Sequence, residues 1–222
     1  MRMRRKKHGA ERIAACSSLL IQDPALLTPV LPDGTPLFRT PGDLQLEIGC
    51  GKGDFAVGMA AAYPHINFIA MGKLKESWYR EACAEYMKRL GAYISPKVIE
   101  PSPVDLPQKP SQAQIDAALR QEAAKIREQI KPGSFTVAMC IEGKTISSEQ
   151  LAQKLETAAG QGFSTVNFLV GSSFGLDEEL KKQADLRLSM SPMTFPHSLA
   201  RVMLMEQVYR AYSILNNGKY HK

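Results

Sequence analysis

The sequence predicts an α/β protein whose sheet is largely parallel, with helices on both faces. Short apolar runs, FTVAMCI (135–141) and TVNFLV (165–170), are continuous rather than alternating, as strands buried on both faces are. Stretches with helical periodicity lie between the strand candidates, and glycine- or proline-rich breaks separate them. Strands that alternate with helices in this way build parallel sheets.

Taken in order, ERIAACSSLLIQ (11–22) reads as a short amphipathic helix, and the proline-rich stretch 24–41 as loop. DLQLEIG is a strand, GCGKGD a glycine-rich turn, FAVGMAAAY a helix ended by Pro64, and INFIAM (66–71) the next strand. Residues 44–71 thus form one βαβ unit. Glu76–Leu90 has helical periodicity, Lys97–Glu100 is a short strand, and four prolines between 101 and 110 mark a loop. Gln112–Ile130 is helical, with Ala117, Ala118, Leu119, Ala123 and Ile126 as its apolar positions. FTVAMCI reads as fully buried. SSEQ (147–150) opens a helix with a capping box, running to about Ala159. TVNFLV is a second buried strand and DLRLSM (185–190) a third, with a short helix between them. Thr194–Pro196 opens a last helix that runs to about Leu215 with Leu199, Val202, Met203, Met205 and Val208 as apolar positions for core and dimer packing.

The chain has 222 residues, room for one domain or one domain plus a fragment. No apolar run approaches the roughly 20 residues of a membrane span. Glu11 and Arg12 interrupt the place where the apolar core of a signal peptide would begin. The four cysteines form no CxxC pair, so neither a zinc site nor a disulfide framework is expected, and a reducing cytoplasm is the default. A net charge of +6 fits a nucleic-acid partner. The basic run Arg2–Lys7 is either a solvated tail or a phosphate-binding arm.

LEIGCGKG (46–53) has glycines that let the backbone turn sharply beside a ligand, and Glu47 at the strand end could accept hydrogen bonds from it. A nucleotide-like cofactor site and a plain tight turn both fit. With MRMRRKK, ERIAACSSLLI and INFIAM, this stretch makes residues 1–70 resemble the start of bacterial tRNA (guanine-N7-)-methyltransferases. That resemblance implies a Rossmann-like βαβ extension binding S-adenosylmethionine through Glu47, Gly49 and Gly51. The acidic residue that should follow the next strand is replaced by Gly72-Lys73, and the rest of that sheet is absent. Residues 1–65 are therefore expected to be a partial, vestigial fragment.

From residue 71 onward a second resemblance takes over. It rests on GKLKESWYREACAEYMKRLG, CIEGKTISSEQLAQKL, FLVGSSFGL, LSMSPMTFPHSLARVMLMEQVYRAYSI and the final YHK. These segments, in this order, resemble the small SPOUT methyltransferases that modify N3 of a pseudouridine in large-subunit ribosomal RNA. The resemblance implies a SPOUT-type parallel sheet with a C-terminal trefoil knot over residues 66–222, and a homodimer acting on the ribosome with no metal. It implies S-adenosyl-L-methionine bound by Met139, Gly171, Met190, Ser191, Pro192, Met193, Thr194 and Phe195. Where this family usually has two glycines after the strand, the second here is Ser172.

The residues themselves agree with part of this. Gly171 and Met190–Phe195 follow neighbouring strand ends, where parallel sheets place ligands, although a loop glycine is often only a turn. Arg201 and Arg210 are open between phosphate contacts and solvated charges, and His197 between a structural hydrogen bond and catalysis. The tail, Tyr220-His221-Lys222, would be frayed by position. The family implies instead that it reaches the partner's cofactor site, which makes Tyr220, His221 and Arg201 the catalytic candidates, with His221 as base. Three functions follow: a ribosomal RNA methyltransferase, a tRNA guanine-N7 methyltransferase, or a non-catalytic hybrid of two methyltransferase pieces.

Overall fold

The computed structural model describes residues 65–221. The expected helix at 11–22, all but the last strand of the βαβ unit, and Glu47, Gly49 and Gly51 lie outside the described residues. The elements are β1 (His65–Ala70), α1 (Ser77–Leu90), β2 (Ser95–Ile99), α2 (Gln112–Arg127), β3 (Phe135–Thr145), α3 (Ser148–Gly160), β4 (Thr165–Val170), α4 (Glu178–Gln183), β5 (Leu186–Ser189) and α5 (His197–Leu215).

The five strands form one sheet in the order β2-β1-β4-β3-β5, and every pairing is parallel. Central β4 has all six residues buried, which is why its sequence shows no alternation. Alternate side chains of β1 and β4 serve opposite faces. Ile66, Phe68, Val166 and Phe168 join a core with α1, α3 and α5, where the two phenylalanine rings stack at 5.8 Å. Ile69 and Leu169 join a second core with Ala123 and Ile126 of α2 and Leu180 of α4. On that second face Asn67 Nδ2 donates to Asn167 Oδ1 at 2.9 Å, pairing two amides that the register sets side by side.

Capping fixes two helix starts. At Ser111 and Ser147 the hydroxyl accepts from the backbone of Gln114 and Gln150, and each glutamine side chain returns the bond to the cap's own N–H. Two expectations change. β3 is not buried throughout: Thr136, Val137 and Ala138 are, but Ile141 is 50% exposed and the strand runs on to Thr145. Both Met139 and Lys144 pair with Leu188, so residues 140–143 loop out between them. Gly143 sits where a Cβ would lie 2.7 Å from the Leu188 backbone. In α5 the fully buried apolar positions are Leu204, Met205, Val208 and Ala211, and Met203 is only partly buried.

Arg201 of α5 is neither solvated nor free: it is 1% exposed. Its Nη1 donates to Glu100 Oε1 at 2.7 Å, and its Nη2 donates to the carbonyls of Met71 (3.2 Å) and Gly72 (2.9 Å). One side chain thus ties α5 to the exits of β1 and β2. Replacing it by methionine leaves Glu100 and two carbonyls without their donor. Arg201→Met is expected to cost about 3–5 kcal/mol in urea unfolding, with part recovered by adding Glu100→Gln. A loss under about 1 kcal/mol would strip Arg201 of this role.

Tyr212, also in α5, is 4% exposed, and burial raises its phenol above its ordinary value. The native state then keeps a proton that the unfolded chain releases above about pH 10, so stability falls as pH rises through that region. Tyr212→Phe should show a shallower alkaline loss of unfolding free energy than the parent; equal slopes would refute it.

Candidate active site

The C-terminal ends of β3, β4 and β5 converge on a cavity of about 780 Å³. Its walls are the 139–142 segment, the loop 170–176, the loop 188–196, and the start of α5 at His197 and Ala200. Of the eight residues expected to hold the cofactor, Met139, Gly171, Met190, Ser191, Met193, Thr194 and Phe195 line this cavity, and Pro192 does not.

Gly171 is glycine for a reason different from the one its sequence suggests. A Cβ there would lie 2.1 Å from the carbonyl oxygen of Gly175, so the backbone of its own loop, rather than a ligand, occupies the space. Gly175 has φ +88° and its N–H donates to Ser172 O at 3.0 Å, closing the turn. The second loop is braced from within. Ser189 Oγ donates to Ser191 O at 3.0 Å, and Met193 N–H donates to Ser191 Oγ at 3.0 Å. Both loops are thus held by bonds within themselves.

The looped-out segment of β3 is pinned by charge. Lys181 of α4, 7% exposed, pairs with Glu142 and with Glu178. The hydrogen bond from Lys181 holds the Glu142 carboxyl below its ordinary range. Burial pushes His197, in the cavity wall, down from its ordinary imidazole value, Arg201 adds to that, and Glu76 opposes it. Burial likewise raises the Cys140 thiol. Sequence reasoning missed Ser172 as a contact: its Oγ is buried without a hydrogen-bond partner among the described residues, and it lines the cavity. Ile141 and Phe174, both about half exposed, also line it; their position follows from the loop geometry, which no sequence spacing reports.

The catalytic candidates are not brought to this cavity within one chain. Arg201 is committed to Glu100 and the β1 exit. Tyr220 folds back on α5, its hydroxyl donating to Glu206 Oε1 at 3.1 Å and its ring 4.7 Å from that of Tyr209. The Arg210 guanidinium lies 4.6 Å from the Tyr220 ring and pairs with Glu206, so Arg210 is engaged within the chain as well. His221 Nε2 stands 2.6 Å from Glu149 Oε1 of α3. Among the described residues no three His, Cys, Asp or Glu side chains are grouped as metal ligands.

A family model described as "Predicted SPOUT methyltransferase" matches residues 65–221. The chain is 41% identical over 157 residues to the "Ribosomal RNA large subunit methyltransferase H" of Streptococcus suis, covering 71% of this chain and 99% of that protein. A protein of the same name from Ruminiclostridium cellulolyticum is 42% identical over 157 residues, with the same coverage. The chain belongs to the SPOUT methyltransferase family. Its activity class is methyl transfer, and the cavity described above lies wholly inside the matched span. A solved structure from Bordetella pertussis, titled a probable methyltransferase, gives a TM-score of 0.44 at 13% identity, covering 71% of this chain and 99% of that one.

If the cavity loop depends on the bare backbone at Gly171, a single methyl there must displace Gly175. Gly171→Ala is expected to lose about 1–3 kcal/mol in chemical denaturation. Unchanged stability would mean that the loop relaxes freely.

Proposed function

We propose that the chain transfers a methyl group from S-adenosyl-L-methionine to N3 of a pseudouridine in large-subunit ribosomal RNA. The observation that carries this reading is the cavity, walled by the loops that the family resemblance assigns to the cofactor. Relatives named for large-subunit ribosomal RNA methylation, matched over 99% of their length, support the choice of substrate. The cavity's volume suits a ligand of this size. The unpartnered Ser172 hydroxyl offers a hydrogen bond, and Ile141, Phe174 and Met193 offer apolar surface.

Bound there, S-adenosylmethionine supplies a methyl group already activated on a sulfonium. What remains for the protein is to position the imide nitrogen and take its proton. We assign that proton to His221. If Nε2–H donates to Glu149, the lone pair stays on Nδ1, which is buried without a partner among the described residues, so the tail must turn to present it to the imide. The Glu149 carboxyl, held at about 2 by the Ser147 hydroxyl, its own backbone N–H and His221, is an anion throughout the working range and can fix that tautomer. The Tyr220 phenol is pushed up to about 12, by burial first and then by Tyr86 and Glu206. It therefore stays protonated, suited to stacking and donation rather than to acting as a base.

Because Tyr220 and His221 do not line their own chain's cavity, we place them at the cavity of the partner subunit in a homodimer acting on the ribosome. Arg201 becomes a positioning residue. The trefoil knot belongs to the same proposal, and so does a vestigial N-terminal fragment that takes no part in the chemistry; its expected last residue, His65, is instead the first of β1. No observation favours the tRNA guanine-N7 reading or the non-catalytic hybrid.

The test is methylation of ribosomes from cells lacking the modification, with mass analysis of the nucleoside. Cofactor binding with no transfer to pseudouridine would overturn the substrate. In the same assay, deleting Tyr220–Lys222 should lower turnover by about 100- to 10,000-fold. Calorimetry should give an unchanged Kd for S-adenosylmethionine. Full turnover in the truncated protein would remove the tail, and His221, from the mechanism.

A further inference from the structure

Four large apolar side chains stand out from the surface among the described residues: Ile141, Phe174, Met193 and Trp78. The first three line the cavity, and Trp78, 56% exposed, does not. It nevertheless belongs to the same edge of the sheet. Ala70, the last residue of β1, is paired with Val170, the last of β4, and Met71 N–H donates to Val170 O at 3.0 Å. The segment from Gly72 to Trp78 therefore leaves the sheet beside β4, which Gly171 follows. Gly72, at φ +77°, turns the chain there, and its N–H donates to Pro101 O at 2.9 Å.

This segment is built to hold its shape. Leu74 is buried, at 8% exposure, and pulls the loop onto the core, which leaves its neighbours Lys73 and Lys75 exposed on either side. Arg80 Nη1 donates to Leu74 O at 3.1 Å and also to Lys75 O, so that cation is spent on bracing the loop. The indole of Trp78 lies beside the ring of the buried Tyr79, tilted from it by 32°. Neither Lys73 nor Lys75 forms an ion pair among the described residues; Glu76 and Glu81 are exposed nearby. An exposed indole flanked by two exposed ammonium groups suits a base over the ring and phosphates over the lysines. A protein partner would more often meet a broader apolar patch.

We propose that Trp78, with Lys73 and Lys75, is a platform for the single-stranded RNA that flanks the methylated nucleotide. The identity of that RNA rests on the function proposed above; the platform itself does not. A base stacks on the indole, and the adjoining phosphates lie over the two lysines. The target nucleotide can then enter the cavity while its neighbour is held on the same edge of the sheet.

The chain contains a single tryptophan, so its fluorescence reports this surface directly. Saturating the intact protein with large ribosomal subunits, or with a single-stranded RNA oligomer, should quench the emission. Trp78→Ala should raise KM for ribosomes about 5- to 150-fold, the range for losing one base–aromatic stack. Trp78→Phe should recover most of that loss, and the Kd for S-adenosylmethionine should not move in either variant. Lys73→Ala and Lys75→Ala should each lower the salt dependence of RNA affinity by about 0.7 in log–log slope. Unquenched emission under conditions where sedimentation shows RNA bound would overturn the platform. So would emission that changes with protein concentration alone, together with dissociation of Trp78→Ala subunits, because the surface would then join two copies of this chain. If the parent protein quenches with RNA but methylates no ribosome, the platform stands and the substrate proposed above falls.

Discussion

A guanidinium closed off from water holds the working edge of this protein together. Burying a charge is costly unless it is paired and hydrogen-bonded, and Arg201 offsets that cost through Nη1 and Nη2, which reach two strand exits at once, while its Nε–H has no partner among the described residues. Glu100 follows β2, Met71 and Gly72 follow β1, and Arg201 itself stands one turn into α5. The bond set therefore fixes where α5 begins relative to the sheet. His197 and Ala200, four and one residues earlier, inherit that position and form one side of the cavity. The pairing contributes more to geometry than to net stability, since an apolar replacement on both sides can be as stable.

The other cavity walls follow the same logic of fixed backbone. The 171–175 turn closes so tightly that it admits no side chain at Gly171, and the 189–193 loop is braced by two serine hydroxyls. The segment 140–143 is the exception. It leaves the ladder between two residues that share one partner, and the buried Lys181 ties it down through Glu142. A site whose walls are already shaped loses little conformational entropy on binding, which suits a reaction in which orientation carries most of the catalysis.

Much of this could be read in the sequence, for identifiable reasons. TVNFLV is the observed β4 to the residue: the run carries no charge, its one amide, Asn167, is paired with Asn67 inside the sheet, and a glycine follows it. Ser147 and Gln150 announced a helix start, since a capping box is a local device. The resemblance implies cofactor contacts along Met190–Phe195, and five of those six residues line the cavity. What stayed hidden depends on distant partners. Nothing near Arg201 in sequence announces carbonyls 129 and 130 residues away. The continuation of β3 to Thr145 breaks the apolar run at Glu142, and pairing resumes only at Lys144, against the same Leu188 that Met139 faces. Ser172 stands in the sequence only as a departure from a glycine pattern, and its hydroxyl, without a partner among the described residues, becomes visible once the loop is closed.

The position of β4 has a kinetic consequence. It pairs with β1, whose residues precede it by 100 positions, and with β3 on its other side. Until Thr165–Val170 has been synthesised, β1 has no neighbour on one edge, and Ile66, Phe68 and Ile69 lack the strand against which they pack. At roughly 5–20 residues per second, a hundred residues occupy about 5–20 seconds of translation. During that interval the nascent chain presents an open strand edge and apolar side chains to its surroundings. Long-range parallel pairing is also intrinsically slow, because loop closure comes before the contacts that reward it. The arrangement that brings three strand ends to one cavity thus leaves the growing chain with a period of aggregation risk that ends only when its fourth described strand arrives.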